Sequence, residues 1–451
     1  MRQRTKSAVT VVVAVVAAIG MFFAGFFAGR IKDPDVAALE FIVKTYKKHY
    51  LEYDEDFVSV MSRSILDEYS EYYTKEEYAE LKKISSGVRG GVGISYYQKS
   101  ADEVAIYDVL GNSPAEHAGV KAGSIVKGFK KATDEDFTTI EKRQDLSDAL
   151  SPLDLGEEFI LKLEYDGAET EYTLARKEYR QTYVYYSDNG GSYRFTNTDE
   201  EDMDEIGFVR YDEPIAAFDD DTAYLRYTLF YGTANGVLGS VGQIETAMKK
   251  FAEDKKTKLI LDLRGNGGGY VDICQSVAKF FVPAPENSFS LLATAEYKKD
   301  PKTDSGKTEI FKSSAIEFGK YNYEKIIVLA DENTASASEM LIGAMLSYDT
   351  QNKISVVLAP SVNENGETVY KSYGKGIMQT TYVNAFGGGA LKLTTARLVW
   401  PDGKTCIHGV GITESLEGYT GKIFGSDDPL SYALSLLAPT GPTPTEPTPE
   451  A

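Results

Sequence analysis

Lys325-Ile-Ile-Val-Leu-Ala-Asp-Glu-Asn-Thr-Ala-Ser-Ala-Ser-Glu-Met340 passes from an apolar, β-branched run through a turn of small residues into a helical pattern. The apolar run Ile326–Ala330 suits a strand buried on both faces, and Ser336–Tyr348 carries helical spacing. Outward from this stretch the same alternation repeats. Candidate strands are Ala223–Leu229, Lys258–Leu263, Lys325–Ala330 and Ile354–Ala359, with helical patterns at Gly239–Phe251, Val271–Phe281 and Ser336–Tyr348. Strands and helices in alternation predict an α/β domain.

The turn after Ala330 sets a serine near a helix N-terminus, where unpaired N–H groups and the helix dipole favour developing negative charge. A serine there is either a nucleophile or a helix cap, and Ser336 and Ser338 both stand in the right place. Two other segments bear on the choice. Leu261-Asp-Leu-Arg-Gly-Asn-Gly-Gly-Gly269 follows a strand and ends in three glycines, which let backbone N–H groups approach a ligand. It has neither the lysine of a phosphate-binding loop nor dinucleotide spacing. Ser372-Tyr-Gly-Lys-Gly-Ile-Met-Gln379 holds Lys375 between two glycines. The chain has three histidines (His49, His117, His408), and only His408 falls in this domain. A Ser-His-Asp triad therefore has a single candidate, and a His-rich metal site is excluded. A lysine serves as base instead where burial lowers its pKa, although an isolated Gly-Lys-Gly is also an ordinary surface turn. No cofactor is expected.

Upstream lie short alternating strands punctuated by glycine: Gly90-Gly-Val-Gly-Ile94, Glu103–Val109, Asn112-Ser-Pro-Ala-Glu-His-Ala-Gly119 and Lys121-Ala-Gly-Ser-Ile-Val126. This order resembles a protease-associated PDZ domain ending near Arg176. The resemblance implies that an extended peptide adds to a sheet edge while a glycine-rich loop captures its terminal carboxylate. Before it, Pro34 to about Ser86 reads as helical, with Thr74-Lys-Glu-Glu77 as a capping box, and suits a cap, an arm or a homo-oligomer contact. Ala8–Gly29 is free of charge for 22 residues, long enough to cross a bilayer as a helix. Arg2, Arg4 and Lys6 precede it, which orients the rest of the chain outside the cytoplasm. It exceeds the apolar core of a cleaved signal peptide, so a single-pass membrane anchor is expected.

With 68 acidic against 48 basic residues the net charge is −20, which argues against a nucleic-acid partner. Residues 199–221 carry eleven carboxylates against Arg210 alone, without calcium-loop spacing, and read as a solvated acidic loop. Cys274 and Cys406 are equally readable as one disulfide or as two thiols. Residues 439–451 form a Pro/Thr-rich tail unable to pack.

In this order the blocks Asp262–Gly269, Thr334-Ala-Ser-Ala-Ser-Glu339, Tyr373-Gly-Lys-Gly-Ile-Met-Gln379 and Ala390-Leu-Lys-Leu-Thr-Thr-Ala-Arg397, with Leu66–Tyr78 upstream, resemble the C-terminal processing peptidases, or tail-specific proteases. The resemblance spans the chain from the apolar run to about Leu437. It implies a serine endopeptidase in which Ser336, not Ser338, is the nucleophile, Lys375 the general base and Gln379 the residue that orients it. It further implies an oxyanion hole of the Gly268 and Ala337 amides, with Gly267 and Gly269 as neighbours, and protein or peptide substrates with free C-termini. The spacing of 39 residues (375 − 336) from serine to lysine is longer than is usual in that family. The excess lies in Ser361–Tyr370, expected as an extended hairpin. The expectation is thus an α/β (α+β) multidomain chain: stub and anchor 1–30, helical segment 31–87, PDZ-like β-domain 88–177, Ser–Lys peptidase domain 178–438 and tail 439–451. A tethered PDZ scaffold with an inert protease domain and an esterase or amidase are the competing readings.

Overall fold

The computed structural model describes residues 34–49, 62, 64–196, 207–232, 239–283, 289–299, 303–321, 323–363, 365–384 and 389–438. Ala8–Gly29, residues 199–206 of the acidic stretch and the tail lie outside them. Among the described residues no helix is long and apolar enough to cross a membrane.

The chain divides into two compact units, Met1–Ile65 and Leu66–Ala451. The first contains helix α1 (Pro34–His49). The second opens with β1 (Glu71–Tyr73) and α2 (Lys75–Ser85). The continuous helical reading of 34–86 is thus corrected by a strand. Tyr72 and Tyr73 favour extended backbone, and β1 pairs antiparallel with a distant strand at Ala390–Lys392. The expected capping box forms: Thr74 Oγ1 accepts from the Glu77 N–H, and the Glu77 carboxylate accepts from the Thr74 N–H.

A small β-domain follows. Its elements are β2 (Val88–Gly91), β3 (Ile94–Ser100), β4 (Glu103–Val109), α3 (Pro114–His117), β5 (Ile125–Lys131), β6 (Thr138–Thr139), α4 (Arg143–Leu150), β7 (Glu158–Tyr165) and β8 (Ala168–Ala175). Sheet order is β3-β4-β5-β7-β8, which leaves β3 at an edge; Gly90 and Gly91, expected in a loop, end β2, and only Val92 and Gly93 connect it to β3. Period-2 alternation drives Phe159, Leu161 and Leu163 of β7 into a core shared with Val104 and Ile106. β9 (Lys177–Arg180) returns to pair with β2 and leads into the larger domain. A polar contact joins the two domains. Asn112, just before α3, donates to Thr182 Oγ1 (3.0 Å) and accepts from Arg194 (2.8 Å), and Arg194 also pairs with Glu116 of α3 (2.6 Å).

The larger domain holds β10 (Val184–Asp188), β11 (Gly191–Thr196), β12 (Gly207–Asp212), β13 (Thr222–Tyr227), α5 (Ser240–Glu253), β14 (Lys258–Asp262), α6 (Val271–Phe281), β15 (Leu291–Lys299) and β16 (Gly306–Lys312). It continues with β17 (Lys325–Ala330), α7 (Ala337–Tyr348), β18 (Ile354–Leu358), β19 (Pro360–Val362), β20 (Thr368–Tyr370), β21 (Ile377–Val383), β22 (Ala390–Val399), β23 (Ile423–Gly425) and α8 (Pro429–Leu437). The main sheet runs β12-β11-β10-β13-β14-β17-β18-β23, parallel from β13 onward. Alternate residues serve opposite cores. Leu259, Leu261, Ile326 and Val328 pack with α5, α6 and α7, whereas Ile260, Ile327 and Leu329 pack with Ala433 and Leu437 of α8. Burial on both faces explains the unbroken apolar runs. β21 and β22 belong to a second sheet, β1-β22-β15-β16. The extra residues before Lys375 form the expected hairpin, β19 antiparallel to β20.

α7 is held tightly against Trp400, which is 2% exposed. A Cβ on Gly343 would fall inside the contact distance of the indole ring. At an open helical position Gly→Ala gains about 1 kcal/mol, but overpacking a fixed ring costs about 1–3 kcal/mol. Gly343→Ala is therefore expected to lower the urea midpoint; an unchanged or raised midpoint would show that the ring moves freely.

Candidate active site

The end of β17 and the start of α7 fix Ser336. Asp331 caps the turn by accepting from the Gly265 and Asn333 amides (2.9 and 3.0 Å), and Thr334 Oγ1 donates to Leu263 O (2.9 Å). The turn is thereby sewn to the loop after β14. Ser336 itself has φ +58° and ψ −115°, a backbone state that costs a non-glycine residue on the order of 1–3 kcal/mol and persists only under external constraint. Its N–H donates to the Glu339 carboxylate (2.9 Å).

The two candidate serines part company here. Ser338 is fully buried and its hydroxyl donates to Asn266 O (2.9 Å), so it fastens the glycine loop. Ser336 lines an open cavity of about 660 Å³ together with Ala337, Gly269, Gln379 and the apolar Met340, Phe311 and Leu398. Ala337 is the first residue of α7, where amides lack intrahelical acceptors.

The glycine loop is set by Asn266, which is fully buried. Its side-chain nitrogen donates to Tyr227 O (2.9 Å), its carbonyl accepts from the Ala335 N–H (3.0 Å), and its Oδ1 accepts from the Gly268 N–H (3.0 Å). The Gly268 amide is thus already engaged. Gly268 nonetheless lies against the serine: a Cβ there would fall 2.6 Å from Ala335 O and 2.8 Å from Ser336 Cβ, at φ +93°. Only glycine meets both conditions. The Arg264 guanidinium closes on the buried Asp262 carboxylate, which also accepts from Tyr224 OH (2.6 Å), and this pair stiffens the loop's start.

Lys375 sits in the turn between β20 and β21. Burial, with Lys392 nearby, holds its ammonium below the ordinary lysine value, against the opposing pull of Glu339 and Asp67. Its Nζ lies 5.1 Å from the centroid of the Tyr69 ring. Among the described residues no hydrogen bond joins Lys375 Nζ to Ser336 Oγ. The two are linked through Glu339. That carboxylate, 1% exposed, accepts from the N–H groups of Ser336 (2.9 Å), Gly374 (2.8 Å) and Lys375 (2.9 Å) and from Ser372 Oγ. Burial raises its pKa, and these four donors oppose the rise. Gln379 shares the serine's cavity and donates to Thr394 Oγ1 (3.3 Å).

Glu339 and Asn266 carry this geometry, and the sequence pattern does not single either out as a site residue. Ser336-Ala-Ser-Glu339 has the Ser-x-x-Glu spacing of a capping box, a legible signal for the first bond of Glu339. Both cysteines are free thiols: Cys274 is buried with Sγ 3.3 Å from Ala337 O, and burial pushes its thiol pKa up.

Residues 221–417 match peptidase family S41. A "Probable CtpA-like serine protease" of Staphylococcus aureus (strain N315) is 26% identical over 418 residues, covering 89% of this chain and 69% of its own. A protein of the same description from Staphylococcus haemolyticus (strain JCSC1435) is 26% identical over 412 residues, covering 90% and 69%. The crystal structure of an S41 protease candidate from Bacteroides fragilis NCTC 9343 shares the fold, with a TM-score of 0.50, 18% identity and 86% of each chain covered.

Proposed function

We propose, from the premise that this chain is a serine peptidase of family S41, that it is an endopeptidase working through Ser336 and Lys375 and cutting protein substrates near their C-termini. The observation that carries this reading is the Glu339 carboxylate, which grips the backbone of the nucleophile turn and of the lysine turn at once, beside an open cavity.

Neutral Lys375 takes the Ser336 hydroxyl proton as Oγ attacks the scissile carbonyl. The tetrahedral oxyanion is held by the Ala337 N–H and by the Gly268 N–H, which exchanges Asn266 Oδ1 for it. The lysine proton passes to the leaving amine. Water, deprotonated by Lys375, then releases the acyl group and restores the serine. Gln379, whose side-chain nitrogen donates to Thr394 Oγ1 and makes no bond to Lys375 among the described residues, turns to the lysine only in the substrate complex. Substrate binding draws Lys375 onto Ser336, in line with the tightening of catalytic hydrogen bonds on complex formation.

The β-domain at 88–177 acts as a PDZ-like reader of the substrate tail. Exposed edge strand β3 offers unpaired backbone groups, and the Gly90–Gly93 amides precede it. The apolar run Ala8–Gly29 tethers the enzyme to a membrane with the peptidase outside the cytoplasm. The exposed Val36, Leu39, Phe41 and Ile42 of α1 support self-association through that segment.

The test is degradation of an unstructured protein with a free apolar C-terminus by the full chain in detergent, followed across pH. A lysine whose pKa is depressed becomes neutral, and so competent as a base, as pH rises through that value. Activity is therefore expected to climb with pH and to vanish in Lys375→Ala. A flat profile, or a Lys375→Ala variant of undiminished rate, would overturn the assignment.

A further inference from the structure

We propose that Leu66–Ser70, which precedes the β-domain and lies outside residues 221–417, completes the active site, with Tyr69 as the positioning residue for the Lys375 side chain. The inference rests on the Ser336–Lys375 reading.

The lysine ammonium makes no side-chain hydrogen bond among the described residues, so its four-carbon stem is placed by what it packs against. Tyr69 is that surface. Its ring centroid lies 5.1 Å from Lys375 Nζ, the range in which a cation is attracted to a ring face. The ring is itself held on the lysine's own turn. Tyr69 OH bonds Tyr373 OH (3.3 Å), and the two rings meet edge-on at 6.4 Å and 78°. His408 supplies a second edge at 6.4 Å, from the loop whose Gly409 N–H donates to Gly374 O (2.9 Å).

The backbone beneath Tyr69 is equally tied. Asp67 accepts from the Tyr69 N–H through Oδ1 (3.2 Å) and from the Ser70 N–H through its carbonyl (3.1 Å). Ser70 Oγ accepts from the Thr394 N–H (2.9 Å), and Thr394 Oγ1 accepts from Gln379 Nε2 (3.3 Å). Directly afterwards β1 pairs with Ala390–Lys392 of β22, and Lys392 Nζ donates to Tyr73 OH (2.9 Å). One short segment thus reaches the lysine through a ring and Gln379 through a threonine. A peptidase domain cut free of this segment would retain Ser336 and Lys375 and lose the surface that aims the lysine.

The experiment is steady-state proteolysis of the same unstructured substrate by full-length Tyr69→Leu, Tyr69→Met and Tyr69→Phe, with Lys375→Ala alongside. Misplacing a catalytic group by about 1 Å costs up to ~100-fold. Tyr69→Leu and Tyr69→Met are expected to lose about 10–100-fold in kcat with KM within about two-fold. Tyr69→Phe, which keeps the ring, is expected to restore kcat to within about three-fold of the parent. Wild-type kcat in Leu or Met, or a Phe variant as slow as Leu, would overturn the proposal. If Leu does not fold, the less disruptive Met variant decides. Activity surviving in Lys375→Ala would instead sink the Ser–Lys reading, so the two failures are distinguishable.

Discussion

Ser336→Ala is expected to abolish peptide-bond hydrolysis, a fall of about 10⁴–10⁶-fold in kcat/KM, since removing the nucleophile of an acyl-transfer unit costs about as much as removing the whole unit. The thermal midpoint should hardly move. Alanine meets the same backbone strain as serine at φ +58°, and the Ser336 N–H keeps its bond to Glu339. Ser338→Ala supplies the contrast. It deletes the bond to Asn266 O inside the core and is expected to cost about 1 kcal/mol of stability while lowering turnover far less than Ser336→Ala does. Labelling with a serine-reactive fluorophosphonate, read by intact mass, separates the two. The adduct should form on the parent and on Ser338→Ala but not on Ser336→Ala. An adduct on Ser336→Ala would place the nucleophile elsewhere.

The second large effect is expected at Glu339. Glu339→Ala strands the Gly374 amide and the Ser372 hydroxyl in a buried environment and the Ser336 and Lys375 amides in a partly buried one. Each unsatisfied buried donor costs about 1–3 kcal/mol, so even partial rescue by entering water leaves a loss of at least about 3 kcal/mol. Glu339→Gln keeps the volume but turns an NH₂ group towards N–H donors, and should also fail, by a smaller margin. Both variants should lose at least about 100-fold in kcat, because the turn carrying Ser336 and the turn carrying Lys375 are no longer held in one frame. Urea midpoints and proteolysis rates measured on the same samples check this. A Glu339→Ala variant with parental turnover would show that the two turns hold their places without it.

Much of this architecture was readable from local pattern. Val271–Phe281 forms the helix that its spacing predicts, and β17 has the bounds of its apolar run. The residues that assemble the site were less legible, for a physical reason. Glu339 announces its bond to Ser336 three residues away. Its bonds to Ser372, Gly374 and Lys375 cross a strand and a hairpin, and no periodicity encodes them. The engagement of the Gly268 amide depends on where Asn266 points its side chain, a matter of tertiary packing. β1 hides within a helical pattern because three residues show no period, and its pairing partner stands some 320 residues later in the chain.

That separation bears on how the protein is made. Tyr69 and β1 are among the earliest parts of the peptidase unit to be synthesised, whereas β22 emerges near the end. At roughly 5–20 residues per second the gap is about 16–64 s. Through that interval the nascent chain contains its serine turn before its lysine turn, and both before the strand that closes them against the start. If Ser336 and Lys375 act together as proposed, a chain broken off before Ala390 carries both turns but lacks the strand that pairs with β1, and is expected to show no proteolysis.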